Sequence, residues 1–212
     1  MIYVYAITEA AGTPLPQPTL REVTAHGVAV VFADEGPGGD PTADVLWVHE
    51  DVVESLMRDR AVLPMRFGTH LPDEEAALAL LDSRRDDFAR MLDDVRGRVE
   101  LGVRVAGRAA APDQPARPAT GTEYLARRLG ARREADHVAA AVHEPLARIA
   151  DRSASARSPR SGEVMTASYL LPSERVGVFT EEIRQLQQRH PDLALTCTGP
   201  WPPYSFVEEA PA

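Results

Sequence analysis

Apolar and polar positions change period several times along the chain, and each change predicts an element. "MIYVYAI" (1–7) alternates β-prone apolar residues and predicts a strand. "REVTAHGVAVVFAD" (21–34) sets two β-rich runs around His26-Gly27 and predicts a hairpin turning there. "EGPGGDPTAD" (35–44), dense in glycine and proline, predicts a loop. "VLWVHEDVVESLMRDR" (45–60) predicts a short strand leading into a helix, with Val52, Val53, Leu56 and Met57 on one face. "AVLPMRFGT" (61–69) is apolar and extended, because Pro64 forbids a central helix. One long helix is expected next. Asp73 is its N-cap, Glu74 and Glu75 suit the helix dipole, and Leu78, Leu81, Phe88, Leu92 and Val95 make one buried stripe.

The second half begins with a strand, "RVELGVRVAG" (98–107), followed by a flexible loop over 107–121. Thr120 and Glu123 have the spacing of a capping box. They open a helix in which Leu125, Leu129, Val138, Val142, Leu146 and Ile149 keep phase, with Pro145 expected to kink it or start a separate turn. "DRSASARSPRSG" (151–162) has the composition of a mobile loop. "EVMTASYLLP" predicts a strand, and "SERVGVFTEEIRQLQQRH" a helix with Val176, Phe179, Ile183 and Leu186 inward. "DLALTCTG" is the last strand and delivers the chain into "TGPWPPYSFV" (198–207). No βαβ rhythm repeats, so the class is α+β. The order β-α-β-α-β after residue 98 is one strand short of a split βαβ unit. Two α+β domains are expected, 1–97 and 98–212.

Charge changes the picture only locally. The net charge of −9 disfavours nucleic acid. Yet residues 1–80 hold 13 acids and 4 bases, whereas 113–160 hold 9 arginines and 6 acids. That asymmetry reads either as solvated helix faces or as a basic face for an acidic partner or a second copy. No apolar run reaches the roughly 18 residues that cross a bilayer, so no membrane insertion is expected. The N-terminus lacks the basic region of a signal peptide, and the one cysteine, Cys197, cannot form an internal disulfide. Both point to the cytoplasm.

Candidate chemistry is sparse. All 23 basic residues are arginine, which removes the lysine of a P-loop and of Schiff-base catalysis. The six histidines do not pair at metal-ligand spacing, and His137 and His143 stand on different sides of a helix. They read as surface or capping residues. No Gly-x-Ser-x-Gly elbow occurs. "EGPGGDP" has prolines and acids unsuited to phosphate, Cys197 reads as a buried inert thiol, and the acid pairs Asp86-Asp87 and Asp93-Asp94 read as solubilising. No enzyme, cofactor or metal is expected.

Two apolar, proline-bearing segments remain, "AVLPMRFGT" and "TGPWPPYSFV", with Arg66 their one charge. Together with "YVYAI" and "RVELGV", and in this order from residue 3 to 207, they resemble the gas vesicle protein F/L family. The resemblance implies two α+β domains, the C-terminal one a modified ferredoxin-like fold. It implies an accessory or minor structural protein of gas vesicles, one that binds the hydrophobic shell subunit (gas vesicle protein A), prevents its aggregation and assists nucleation and assembly. Other accessory gas vesicle proteins are further expected partners, and the gas vesicle joins the cytoplasm as expected location. No catalytic residue comes with the resemblance. Pro64, Arg66, Phe67, Trp201, Pro203, Tyr204 and Phe206 are the candidate partner-binding residues. Two readings stay open for the second segment: a strap whose Trp201 and Tyr204 close the C-terminal domain, or a ledge facing a partner. In the first, Phe67 and Trp201 are largely buried. From another class, a regulatory module sensing a small ligand through its ferredoxin-like domain is the alternative.

Overall fold

Strand β1 (Ile2–Glu9) lies inside a sheet of order β2-β3-β1-β4, completed by β5, which also pairs with β1. The partners are β2 (Arg21–Ala25), β3 (Val28–Ala33), β4 (Val62–Pro64) and β5 (His70–Leu71), all antiparallel to their neighbours. The predicted hairpin is present, with Ala25 opposite Val28. His26 (φ 54°) and Gly27 (φ 81°) both have positive φ, as a type I′ turn demands. In β1 the register against β3 shifts between Val4 and Ala6. This irregularity lets Tyr3, Tyr5 and Ala6 share one face, while Ile2, Val4 and Ile7 share the other.

Both faces are covered. Helix α1 (Ala43–Met57) packs Val52, Val53 and Leu56 on the tyrosine face. Helices α2 (Glu74–Ser83) and α3 (Arg85–Val95) pack Ala77, Leu81, Phe88, Leu92 and Val95 on the other. Three expectations change here. "VLWV" is helical, because the inward stripe runs back through His49 to the half-buried Val45, and tertiary packing overrides β propensity. The single long helix is two, broken at Arg84 (φ −126°), whose guanidinium covers the Phe88 ring at 5.0 Å. Leu78 accordingly stays exposed, and Asp86 and Asp87 occupy a new helix N-terminus. Asp73 caps α2 as expected, accepting from the Ala76 amide at 2.9 Å.

The computed structural model describes residues 1–38, 42–107, 120–156 and 163–207. They fall into two units, Met1–Val99 joined by the chain from Trp201 on, and Glu100–Pro200. The second unit runs β6 (Arg98–Gly107), α4 (Gly121–Ala147), β7 (Arg152–Ala156), β8 (Glu163–Pro172), α5 (Val176–Arg189) and β9 (Leu193–Trp201), with sheet order β7-β8-β6-β9. Its core joins Leu101, Val103 and Val105 of β6 to Met165, Ala167, Tyr169 and Leu171 of β8 and to Val142, Leu146, Phe179 and Leu186 of the two helices.

The strand missing from the sequence reading is β7, which lies in the expected mobile loop and pairs antiparallel with β8 from Arg152↔Leu170 to Ala156↔Thr166. The rest of that loop, 157–162, and 108–119 of the other expected loop lie outside the described residues, as does the Glu123 side chain of the expected capping box. Helix α4 continues through Pro145 to Ala147, since a proline so near the end removes little pairing. Leu125 and Leu129, expected in the buried stripe, are 59% and 56% exposed. The stripe that packs begins at Val138.

Candidate functional site

The two segments singled out in the sequence meet in the first unit. Beyond β4 the chain makes a turn over 65–69, and the last described residues, Trp201–Val207, lie against the same unit. The expectation that this end closes the C-terminal domain is therefore corrected. Its anchors are on α1: Tyr204 Oη donates to Glu50 Oε2 at 2.8 Å, and the Trp201 ring sits 6.0 Å from that of Trp47. Pro202, Pro203 and Phe206 are buried. A short helical turn, Tyr204–Phe206, closes with the Phe206 amide donating to the Pro203 carbonyl.

Between the two segments opens a cavity of about 710 Å³. Pro64, Met65, Arg66, Phe67 and Gly68 line one side, Tyr204, Ser205 and Val207 another, and Phe88 and Met91 of α3 contribute to its apolar lining. Its size lies within the range of sites that hold ligands or side chains. Of the candidate residues, Pro64, Arg66, Phe67 and Tyr204 thus share one cavity. Trp201, Pro203 and Phe206 lie outside the lining and fix the strap. Pro64, Pro203 and Phe206 are buried and Arg66 is exposed. Phe67 and Trp201, expected to be largely buried, are only half-buried.

A buried hydrogen-bonded chain holds the turn at 65–69. His49, 2% exposed, sits on α1 with Nε2 3.0 Å from the Met65 carbonyl. A carbonyl only accepts, so Nε2 carries the proton and Nδ1 accepts from Tyr3 Oη at 2.8 Å. Tyr3 Oη in turn accepts from the Gly68 amide at 3.2 Å. Tyr5 stacks on the imidazole at 5.2 Å, and Phe67 meets it edge-on at 5.9 Å. Burial lowers the His49 pKa, and burial raises those of Tyr3 and Tyr5, so all three are neutral. Burial, reinforced by the Glu50 carboxylate, also pushes the Tyr204 phenol up. Gly36 packs its backbone on the Tyr3 ring, leaving no room for a Cβ.

His49 is the residue the sequence reading missed, having counted it among surface histidines. Its signal was the helical phase it shares with Val52, Val53 and Leu56. Trp47 was missed because its stretch read as a strand. Cys197, expected to be buried, is half-buried, and burial raises its thiol pKa, which favours the unreactive protonated form. Among the described residues, no three His, Cys, Asp or Glu gather as they would around a metal ion, and no helix is long and apolar enough to cross a membrane.

Comparison with known proteins adds the following. The model of the family "Gas vesicle synthesis protein GvpL/GvpF" matches residues 1–208. Gas vesicle protein L of Streptomyces sp. (strain CB03234) is 30% identical over 247 residues, covering 97% of this chain and 92% of its own. Gas vesicle protein F of the same strain is 29% identical, covering 97% and 99%. The crystal structure of GvpF from Anabaena sp. PCC7120 superposes with a TM-score of 0.82 at 17% identity, over 99% of this chain and 96% of that one. GvpF from Microcystis aeruginosa gives 0.78 at 16% identity, over 98% of each.

Proposed function

The chain belongs to the gas vesicle GvpL/GvpF family, and from that premise we propose that it binds the hydrophobic shell subunit before assembly, prevents its aggregation and assists nucleation of the vesicle. The observation that carries this reading is the convergence of both proline-aromatic segments on one apolar cavity of the first unit. A subunit destined to bury large apolar surfaces in a wall is an aggregation hazard while free. A cavity walled by Phe67, Phe88, Met91 and Tyr204 offers such a chain an apolar socket, with exposed Arg66 and Ser205 at its border. Buried Pro64, Pro203 and Phe206 act as its rigid backing, and the half-buried faces of Phe67, Tyr204 and Trp201 as the contact surface. The net charge of −9 helps the loaded protein stay dispersed. No catalytic role enters this reading. Other accessory gas vesicle proteins are further partners on it, and the gas vesicle, reached from the cytoplasm, is where it acts.

The second unit we read as a modified ferredoxin-like domain. The order β6-α4-β7-β8-α5-β9, with β6 and β8 central in the sheet, supports it.

Co-expression with the shell subunit, followed by sedimentation, tests the function. The shell subunit is expected to move from pellet to supernatant with the parent protein. Ser205→Trp, which plugs the mouth of the cavity from an exposed position, is expected to return it to the pellet. Equal pelleting with and without the parent protein overturns the reading.

A further inference from the structure

Two apolar clusters lie exposed, one on the acidic helix α1 and one beside a basic stretch of α4. On α1, Leu46, Trp47 and Val48 are 42%, 52% and 51% exposed. Asp44 stands three residues before Trp47 and Asp51 three after Val48, so both carboxylates lie along the same helix face. Glu50 and Glu54 follow Leu46 in the next row, and α1 contains no arginine. Asp44, Asp51 and Glu54 make no ion pair among the described residues. In the second unit, Leu125 and Leu129 stand four apart on α4, 59% and 56% exposed. The stretch 121–133 around them holds Arg127, Arg128, Arg132 and Arg133 against the single acid Glu123. Single exposed apolar residues are ordinary; paired clusters with matched charge are a docking signature.

We propose that the first half of α4 in one copy of this chain docks on the outer face of α1 in a second copy. Leu125 and Leu129 pack against Trp47 and Val48, and the basic stretch 127–133, with Arg133 exposed, supplies the charge that complements Asp44, Asp51 and Glu54. Helix-on-helix contact suits both surfaces, since each offers apolar residues at helical spacing and no strand edge. An anionic lipid surface is the wrong occupant for α1, whose rim is all carboxylate. The contact joins two different patches, so every open assembly keeps one free donor face and one free acceptor face. Such head-to-tail association closes into a ring or extends into a filament. It is independent of the cavity and of shell-subunit binding.

Sedimentation velocity of the full chain over a concentration series tests this. The parent protein is expected to grow in mass with concentration, and to return to monomer as salt rises from ~0.05 to ~0.5 M and screens the charges. Asp44→Arg with Asp51→Arg, and separately Leu125→Ser with Leu129→Ser at exposed sites, are each expected to stay monomeric. An equimolar mixture of those two variants is expected to stop at a one-to-one dimer, because only one intact pair of faces remains. Val48→Ser, uncharged and at an exposed site, is expected to weaken association several-fold without loss of helix by circular dichroism. A parent protein monomeric throughout overturns the proposal, and so does a variant mixture that fails to pair or grows beyond the dimer.

Discussion

The two units cover their sheets differently, and the difference decides how much of each could be read in advance. In the first, every residue of β3 and the first seven of β1 are buried, with α1 on one face and α2 and α3 on the other. In the second, β8 turns Met165, Ala167, Tyr169 and Leu171 to the helices, while on its other face Thr166 is exposed, Ser168 half-buried and Leu170, near the strand's end, buried. A strand buried on both faces carries no period that tells which side chain meets which helix. A strand buried on one face announces its core by alternation. The buried hydrogen-bonded pair of the first unit, Tyr3 and His49, sits in the part whose pattern says least.

The largest expected effect separates the two cores. Phe88→Ala and Phe179→Ala each empty a site under 2% exposed and are expected to cost about 3–5 kcal/mol. Hydrogen exchange should show the first loosening β1, α2 and α3, and the second α4, α5 and β8. Loss of protection in the same elements for both variants breaks the division into two cores.

Tyr3→Phe comes next. It removes the donor to His49 Nδ1 and the acceptor of the Gly68 amide, and is expected to cost about 1–3 kcal/mol by chemical denaturation. A variant as stable as the parent contradicts the role of that chain in holding the turn at 65–69.

Trp201→Ala sharpens the comparison most. The half-buried ring is expected to contribute about 1–2 kcal/mol. Its loss should expose amides in α1, where Trp47 and Glu50 receive the strap, and leave α4 and α5 unchanged. Deprotection confined to α4 and α5 restores the original expectation that the strap closes the second unit.

Acidification probes the same region more gently. Burial lowers the His49 pKa below its ordinary value of about 6.5, so the unfolded chain takes up that proton first as pH falls. Stability from neutral His49 is complete above about pH 6.5 and is lost as pH drops toward the lowered folded value, by at most about 1.4 kcal/mol per pH unit. His49→Gln is expected to flatten that slope below about pH 6.5. An unchanged slope assigns the acid sensitivity to other groups.

Much of the fold was legible. The hairpin at His26-Gly27, the Asp73 cap and the one-sided strands β6 and β8 followed from local chemistry that tertiary packing then kept. Strand β7 was not legible, because "RSASA" has no apolar face and is recognised only through its backbone pairing to β8. The break at Arg84 carries neither glycine nor proline, and the stripe on either side keeps phase through it. The site was half legible. Proline and aromatic density picked out both walls of the cavity, but their meeting is a long-range contact that no local pattern encodes. The strap was assigned to the unit it follows in sequence, when its partners Trp47 and Glu50 lie some 150 residues earlier.

Site-specific photo-crosslinking to the shell subunit tests the central claim most directly. A photoreactive residue placed at Arg66 or Ser205, at the border of the cavity, is expected to capture the shell subunit in co-expressing cells. The same residue at Val178, equally open on α5 at 59% exposure, is expected to capture none. Capture from Val178 with none from Arg66 and Ser205 contradicts the account and moves the partner surface to the second unit.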